Sequence, residues 1–190
     1  AVDLLLSNPG SNAGDALLFN HIASGARKED KHHDPNQERG CDLQEAGYRV
    51  IQKNGVPTLQ IAAKLFEPMT TWDNCEVSVL IDADKDGVPE QELVGTKQDH
   101  LKGLSATTFA SLLLDATKAR ELRKQFELDT QAKKEDVKED YSSALVEIAE
   151  MFAPKFSTIA IVEAPIASLK LRGSGEIAVR IATSYQELNA

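Results

Sequence analysis

The apolar positions of this chain recur mostly at every second residue. Val77, Val79 and Ile81 alternate with Glu76, Ser78 and Leu80, the period of a strand that turns one face to a core. Leu93 and Val94 restart an apolar run, so residues 77–94 read as strand, turn and strand. Tyr48 to Gln52 and Thr58 to Phe66 flank Asn54-Gly55, a dipeptide that favours a tight hairpin turn. Leu59, Ile61 and Ala63 then share one face. Val2 to Leu6, closed by Ser7-Asn8-Pro9-Gly10, reads as a short strand, and Asp15 to Ile22 is a second apolar stretch. Phe109 to Leu114, Thr158 to Glu163 and a closing run through Ile177, Val179 and Ile181 are further strands, with a loop over Pro165 to Leu171.

Two regions depart from this period. Asp115 to Phe126 is basic and helical in pattern, with Leu122 and Phe126 four apart on one side. Val137, Tyr141, Leu145, Ile148 and Phe152 fall at spacings of three and four, and Pro154 lies just beyond, which predicts an amphipathic helix. Residues 26–47 are strongly polar and predict a surface loop. Taken together, residues 1–190 read as a single mainly-β domain. The expected architecture is an antiparallel β-sandwich, jelly-roll or immunoglobulin-like, carrying a helical insertion over 116–152.

Composition narrows the function classes. With 42% hydrophobic residues the chain has material for a substantial core. A net charge of -9 argues against nucleic acid or an anionic membrane as partner, since both require a basic surface. No apolar run approaches the length of a membrane span. The chain opens on Ala1 without a signal-peptide pattern, and a mature or excised fragment is expected. Cys41 and Cys75 are the only cysteines. In an exported protein a bridge between them would stabilise by about 4 kcal/mol in the chain-entropy model; in a reducing compartment they would be two thiols.

The chemistry concentrates between the strands at 77–94. Asp82, Asp84, Asp86, Glu90 and Glu92 face only Lys85 as an opposing charge. Left alone these carboxylates repel, and a hard cation relieves the repulsion. Calcium takes six to eight oxygen ligands, and D-x-D-x-D-G sets three carboxylates at alternate positions before a glycine that permits a sharp turn. The expected ligands are the side chains of Asp82, Asp84 and Asp86, the carbonyl of Val88, and Glu90. Leu93 stands where a helix-loop-helix calcium hand needs its bidentate Glu, so a calcium-binding β-hairpin is expected. The competing reading is an acidic, solvated turn.

Other residues carry less. His32, His33 and Asp34 could hold a transition metal, but adjacent histidines in a charged loop are usually solvated. Trp72 reads as a core or edge anchor, and an aromatic fraction of 5% argues against a dedicated sugar-binding surface. No nucleophile elbow, zinc-protease motif or phosphate loop is present in the sequence. Asp115 and Glu163 could be cast as an acid pair for sugar hydrolysis, yet solvated strand ends explain them as well.

The run V-S-V-L-I-D-A-D-K-D-G-V-P-E-Q-E-L-V at 77–94 resembles the strand, D-x-D-x-D-G turn and strand of β-sandwich domains appended to secreted subtilisin-like serine proteases. Val162 to Leu171, V-E-A-P-I-A-S-L-K-L, followed by Glu176 to Ala182, is similar to the closing strands of such domains. Glu90 departs from the usual Asp, and the charged segments from Lys118 to Glu150 lie outside the pattern. The resemblance implies a secreted or cell-surface, noncatalytic, calcium-binding module. Its partner would be the protease catalytic domain of the same chain, with an extracellular protein or glycan as further ligand. A free-standing carbohydrate- or cell-surface-binding module is the alternative.

Overall fold

A computed structural model of the chain describes residues 17–26, 41–98, 101–102, 108–132, 140–171 and 176–185. Strand accounts for 56% of these residues, in nine antiparallel strands with one α-helix. In chain order the strands are β1 (Asn20–Ser24), β2 (Leu43–Lys53), β3 (Val56–Met69), β4 (Cys75–Asp82), β5 (Gln91–Lys97), β6 (Phe109–Asp115), β7 (Leu145–Phe152), β8 (Ser157–Pro165) and β9 (Ala178–Tyr185). The helix α1 (Ala116–Gln131) follows β6 directly. The strand order is β1-β2-β3-β8-β7-β6-β5-β4-β9. This is one curled sheet, a half-barrel. The mainly-β antiparallel expectation holds, while the hydrogen-bonding order does not divide the strands into the two separate sheets of a sandwich.

The curl follows from how the alternating faces are buried. Ile61, Ala63 and Leu65 of β3, Val77, Val79 and Ile81 of β4, and Ala160 and Val162 of β8 meet inside it as the main core. The β2–β3 hairpin turns at Asn54 and Gly55, both at positive φ (51° and 80°), as the sequence anticipates. The bend itself lies at β7, which pairs with β6 from Leu145 to Glu150 but with β8 only through Met151 and Phe152. Past that point Ser111 Oγ bridges the layers: it accepts the Glu163 N–H at 3.0 Å and donates to the Glu150 carbonyl at 2.7 Å. Otherwise that N–H would be buried without a partner. Gly95 of β5 lets β8 come close, since a Cβ there would sit 2.5 Å from Val162 Cγ1 and 3.0 Å from Met151 Cε. Val162 is fully buried and cannot yield. Gly95→Ala is therefore expected to cost about 1–3 kcal/mol through overpacking, read from the urea midpoint; an unchanged midpoint would mean that the curl relaxes freely.

A second core lies on the outer face. Val94, Ala110, Leu112 and Leu114 are covered there by Ala119 and Leu122 of α1 and by Tyr141 and Ala144. Asp115 starts the helix, its side chain accepting the Lys118 N–H at 3.1 Å, the usual role of Asp at an N-cap. The helix expected at 115–126 is present and runs on to Gln131.

The helix expected from Val137 to Phe152 requires correction. Leu145–Phe152 is strand β7, with Val146, Ile148, Glu150 and Phe152 exposed and the alternate residues half-buried. Apolar side chains occupy both faces of L-V-E-I-A-E-M-F, so its spacing fits period 3.6 as well as period 2. Pairing with β6 settles it. The helical insertion is thus confined, among the described residues, to 116–131. The polar loop expected over 26–47 also ends earlier, because β2 begins at Leu43; residues 27–40, with His32, His33 and Asp34, lie outside the described residues, as do Val2 to Leu6.

Cys41 and Cys75 form a disulfide across a sequence separation of 34. Both residues are buried, and the bond ties the entry of β2 to the start of β4. Thr183 of β9 donates its hydroxyl to the Cys41 carbonyl beside it. Trp72 is buried, its indole N–H donating to the Pro154 carbonyl at 3.0 Å, which makes it the core anchor expected.

Candidate metal centre

The acidic turn joins β4 to β5, whose antiparallel register sets Ile81 opposite Gln91. Asp82 is the last residue of β4, paired with Ala178 of β9, and so starts from a rigid position. Glu90 closes the turn from the other side, its N–H donating to the Ile81 carbonyl at 3.1 Å and its own carbonyl accepting the Ala116 N–H at 3.0 Å. The first turn of α1 therefore holds one end of the acidic segment.

Between these anchors the backbone reverses through Lys85 (φ 62°) and Gly87 (φ 92°). A Cβ at Gly87 would meet nothing within 4 Å, so glycine serves conformation there and not space. Its N–H donates to Asp82 Oδ2 at 2.8 Å. The Val88 N–H donates to Asp86 Oδ1 at 2.8 Å, the Asp86 N–H to Asp84 Oδ1 at 3.3 Å, and the Ala83 N–H to Glu90 Oε2 at 2.8 Å. Each bond swings a carboxylate inward over the turn.

The result is convergence. One carboxylate oxygen from each of Asp82, Asp84, Asp86 and Glu90 lies within 4.8 Å of the others. Asp84 and Asp86 are exposed, Glu90 is intermediate, and Asp82 is only 9% accessible. Asp82 Oδ1 is buried and has no hydrogen-bond partner among the described residues. A buried carboxylate oxygen left without a partner is costly, and a cation at this centre would satisfy it. The four expected side-chain ligands are thus brought together; Val88 lies in the same turn, with its side chain exposed.

The fifth carboxylate does not join them. Glu92 is buried on the outer face, where Arg123 of α1 binds it through Nη1–Oε2 at 2.7 Å and Nη2–Oε1 at 3.0 Å. Ser78 donates to it at 2.6 Å, and Arg123 Nε donates to Tyr141 Oη at 3.0 Å. Burial opposes the guanidinium charge, but the hydrogen bonds and charge of Glu92 outweigh it and hold the Arg123 pKa above its ordinary value. This pair was not legible in the sequence, because the two residues are brought together only when α1 lies across β5.

Asp115 and Glu163 are engaged separately. Glu163 is buried, bound by Gln60 Nε2 at 2.7 Å and by Lys53. Asp115 caps α1 and meets Lys170 Nζ at 3.2 Å. Its pKa is lowered chiefly by the Lys118 N–H, with burial opposing and Lys170 adding to the effect. A carboxyl held in this way is poorly suited to donate a proton, since a general acid at neutral pH needs a raised pKa.

No described helix is long and apolar enough to cross a membrane. Comparison with protein-family models, curated proteins and solved structures finds no significant match.

Proposed function

We propose that this chain is a noncatalytic, calcium-stabilised β-module working outside the reducing cytosol. The observation that carries the reading is the inward convergence of Asp82, Asp84, Asp86 and Glu90 around a buried, unpartnered Asp82 oxygen. An all-oxygen, all-carboxylate set favours a hard cation over zinc, which prefers nitrogen and sulfur. Four carboxylates on a turn with exposed members favour calcium over magnesium, which demands a tight octahedron and retains most of its water. The ion would clamp β4 to β5 and, through the Glu90 carbonyl, steady the start of α1. The disulfide is compatible with an extracellular setting. Attachment to a subtilisin-like protease rests on the resemblance of residues 77–94, 162–171 and 176–182 alone. Glycan binding through Trp72 is disfavoured by the burial of its ring.

The test is thermal unfolding with calcium and with chelator. At a hundredfold excess over the dissociation constant, an ion that binds only the folded state adds about 2.7 kcal/mol, a shift of about 5–10 °C at this chain length. The double substitution Asp82→Asn and Asp84→Asn should abolish that increment. Coincident curves with calcium and with chelator would overturn the reading.

A further inference from the structure

The sheet curls without closing. β1 and β9 stand at opposite ends of the strand order and, among the described residues, do not pair. At one end the two margins are held together by Cys41–Cys75 and by the Thr183 hydroxyl on the Cys41 carbonyl. At the other they part around a cleft, with Tyr48, Val50, Leu59 and Ile61 on one side and Ile177 and Val179 on the other. Ile22, Ile177 and Val179 are only partly buried against the main core, and Tyr48 and Val50 are exposed. Among the described residues each margin also ends on an unpaired strand edge, a feature that folded proteins cover or blunt.

Strand direction limits what can fill the gap. All eight pairings from β1 to β9 are antiparallel, so the two edge strands run the same way. A single strand between them continues the alternation only if it is antiparallel to both. A segment that precedes β1 and returns to it through a turn has that direction, and consecutive strands usually lie side by side. Residues 2–6, read from their sequence as a short strand closed by Ser7-Asn8-Pro9-Gly10, precede β1 and lie outside the described residues. Of the sequence outside the described residues, this stretch alone carries consecutive large apolar residues; 27–40 and 133–139 are mostly charged or polar. Val2, Leu4 and Leu6 recur at the strand period, with Asp3 and Leu5 between them. Residues 7–19 can span up to about 40 Å, well beyond the length of β1, so a return to the cleft is not strained. Belonging to the same chain, residues 2–6 are also present at about millimolar effective concentration, which an external peptide would have to exceed.

We infer that residues 2–6 of this chain occupy the cleft as a tenth strand, antiparallel to β1 and β9, with Val2, Leu4 and Leu6 turned onto Leu59, Ile61 and Val179. Asp3 and Leu5 then face outward. One strand in this place covers both open edges and closes the curl, so the cleft becomes core and not a port for small ligands. Neither the acidic turn nor a bound ion takes part, and the inference is independent of the metal reading.

The test is NMR on the full chain in chelator. The N–H groups of β1 and β9 that do not bond β2 or β4 should exchange about fivefold more slowly than in the double variant Leu4→Asp with Leu6→Asp, the effect of one net hydrogen bond. Leu5→Asp and Asp3→Asn, on the outward face, should leave that exchange unchanged. Nuclear Overhauser contacts should join the methyls of Leu4 or Leu6 to those of Val50 or Val179 in the unaltered chain, a readout that holds whether or not the double variant folds. Rapid exchange at both edges of the unaltered chain, absence of those methyl contacts, or an equal loss of protection in Leu5→Asp would each overturn the inference. So would methyl contacts found only between differently labelled chains, the mark of an exchanged dimer.

Discussion

Replacing both Cys41 and Cys75 with alanine, or reducing the bond between them, is expected to lower the unfolding free energy by about 4 kcal/mol. The bond spans 34 residues of sequence and acts mainly on the unfolded chain, which loses freedom when a long loop is closed. It also acts on the fold, because it holds the β2 margin to β4 at the point where Thr183 of β9 reaches the Cys41 carbonyl. Alanine is preferred to serine in the test, since both positions are buried and a hydroxyl there would lack water. Urea unfolding of oxidised, reduced and substituted chains supplies the measurement. Midpoints that agree within the error of extrapolation would show that the rest of the curled sheet is stable without this constraint.

The second large effect is expected at Arg123. Arg123→Met removes the guanidinium that Glu92 meets, and Glu92 keeps just 4% of its side chain accessible. Breaking a buried pair from one side leaves an uncompensated charge and costs about 3–5 kcal/mol. Replacing both partners, Glu92→Leu with Arg123→Met, should recover most of the loss, because the apolar pair no longer carries a buried charge. The double-mutant cycle therefore reads whether the single loss comes from stranded charge or from lost packing over Tyr141. A loss below about 1 kcal/mol for Arg123→Met would mean that water reaches Glu92 along the partly exposed side of α1.

The metal turn and this ion pair differ in how far the sequence alone reveals them. Asp82, Asp84, Asp86, Gly87 and Glu90 lie within nine positions, so their convergence depends on one turn and two strand ends. Their spacing already states it. Glu92 lies two residues beyond Glu90 and belongs by spacing to the same run of charges, but alternation along β5 sends it to the outer face. There its partner comes from a helix 31 residues later. Proximity in sequence predicts a shared turn; it does not predict a shared side of a sheet.

What the sequence determined by itself was local: the period-two runs that became β3, β4, β6, β8 and β9, the Asn54-Gly55 reversal, the start of α1 at Asp115, and the acidic hairpin. Each depends on steric preferences and side-chain alternation over a few residues. Only the tertiary structure decided that Leu145–Phe152 is a strand, that Cys41 meets Cys75, and that one sheet curls at β7 to leave a cleft between its margins. Those outcomes depend on which distant surfaces bury one another. Where apolar residues occupy both faces of a segment, the backbone takes the form that its neighbours can pair.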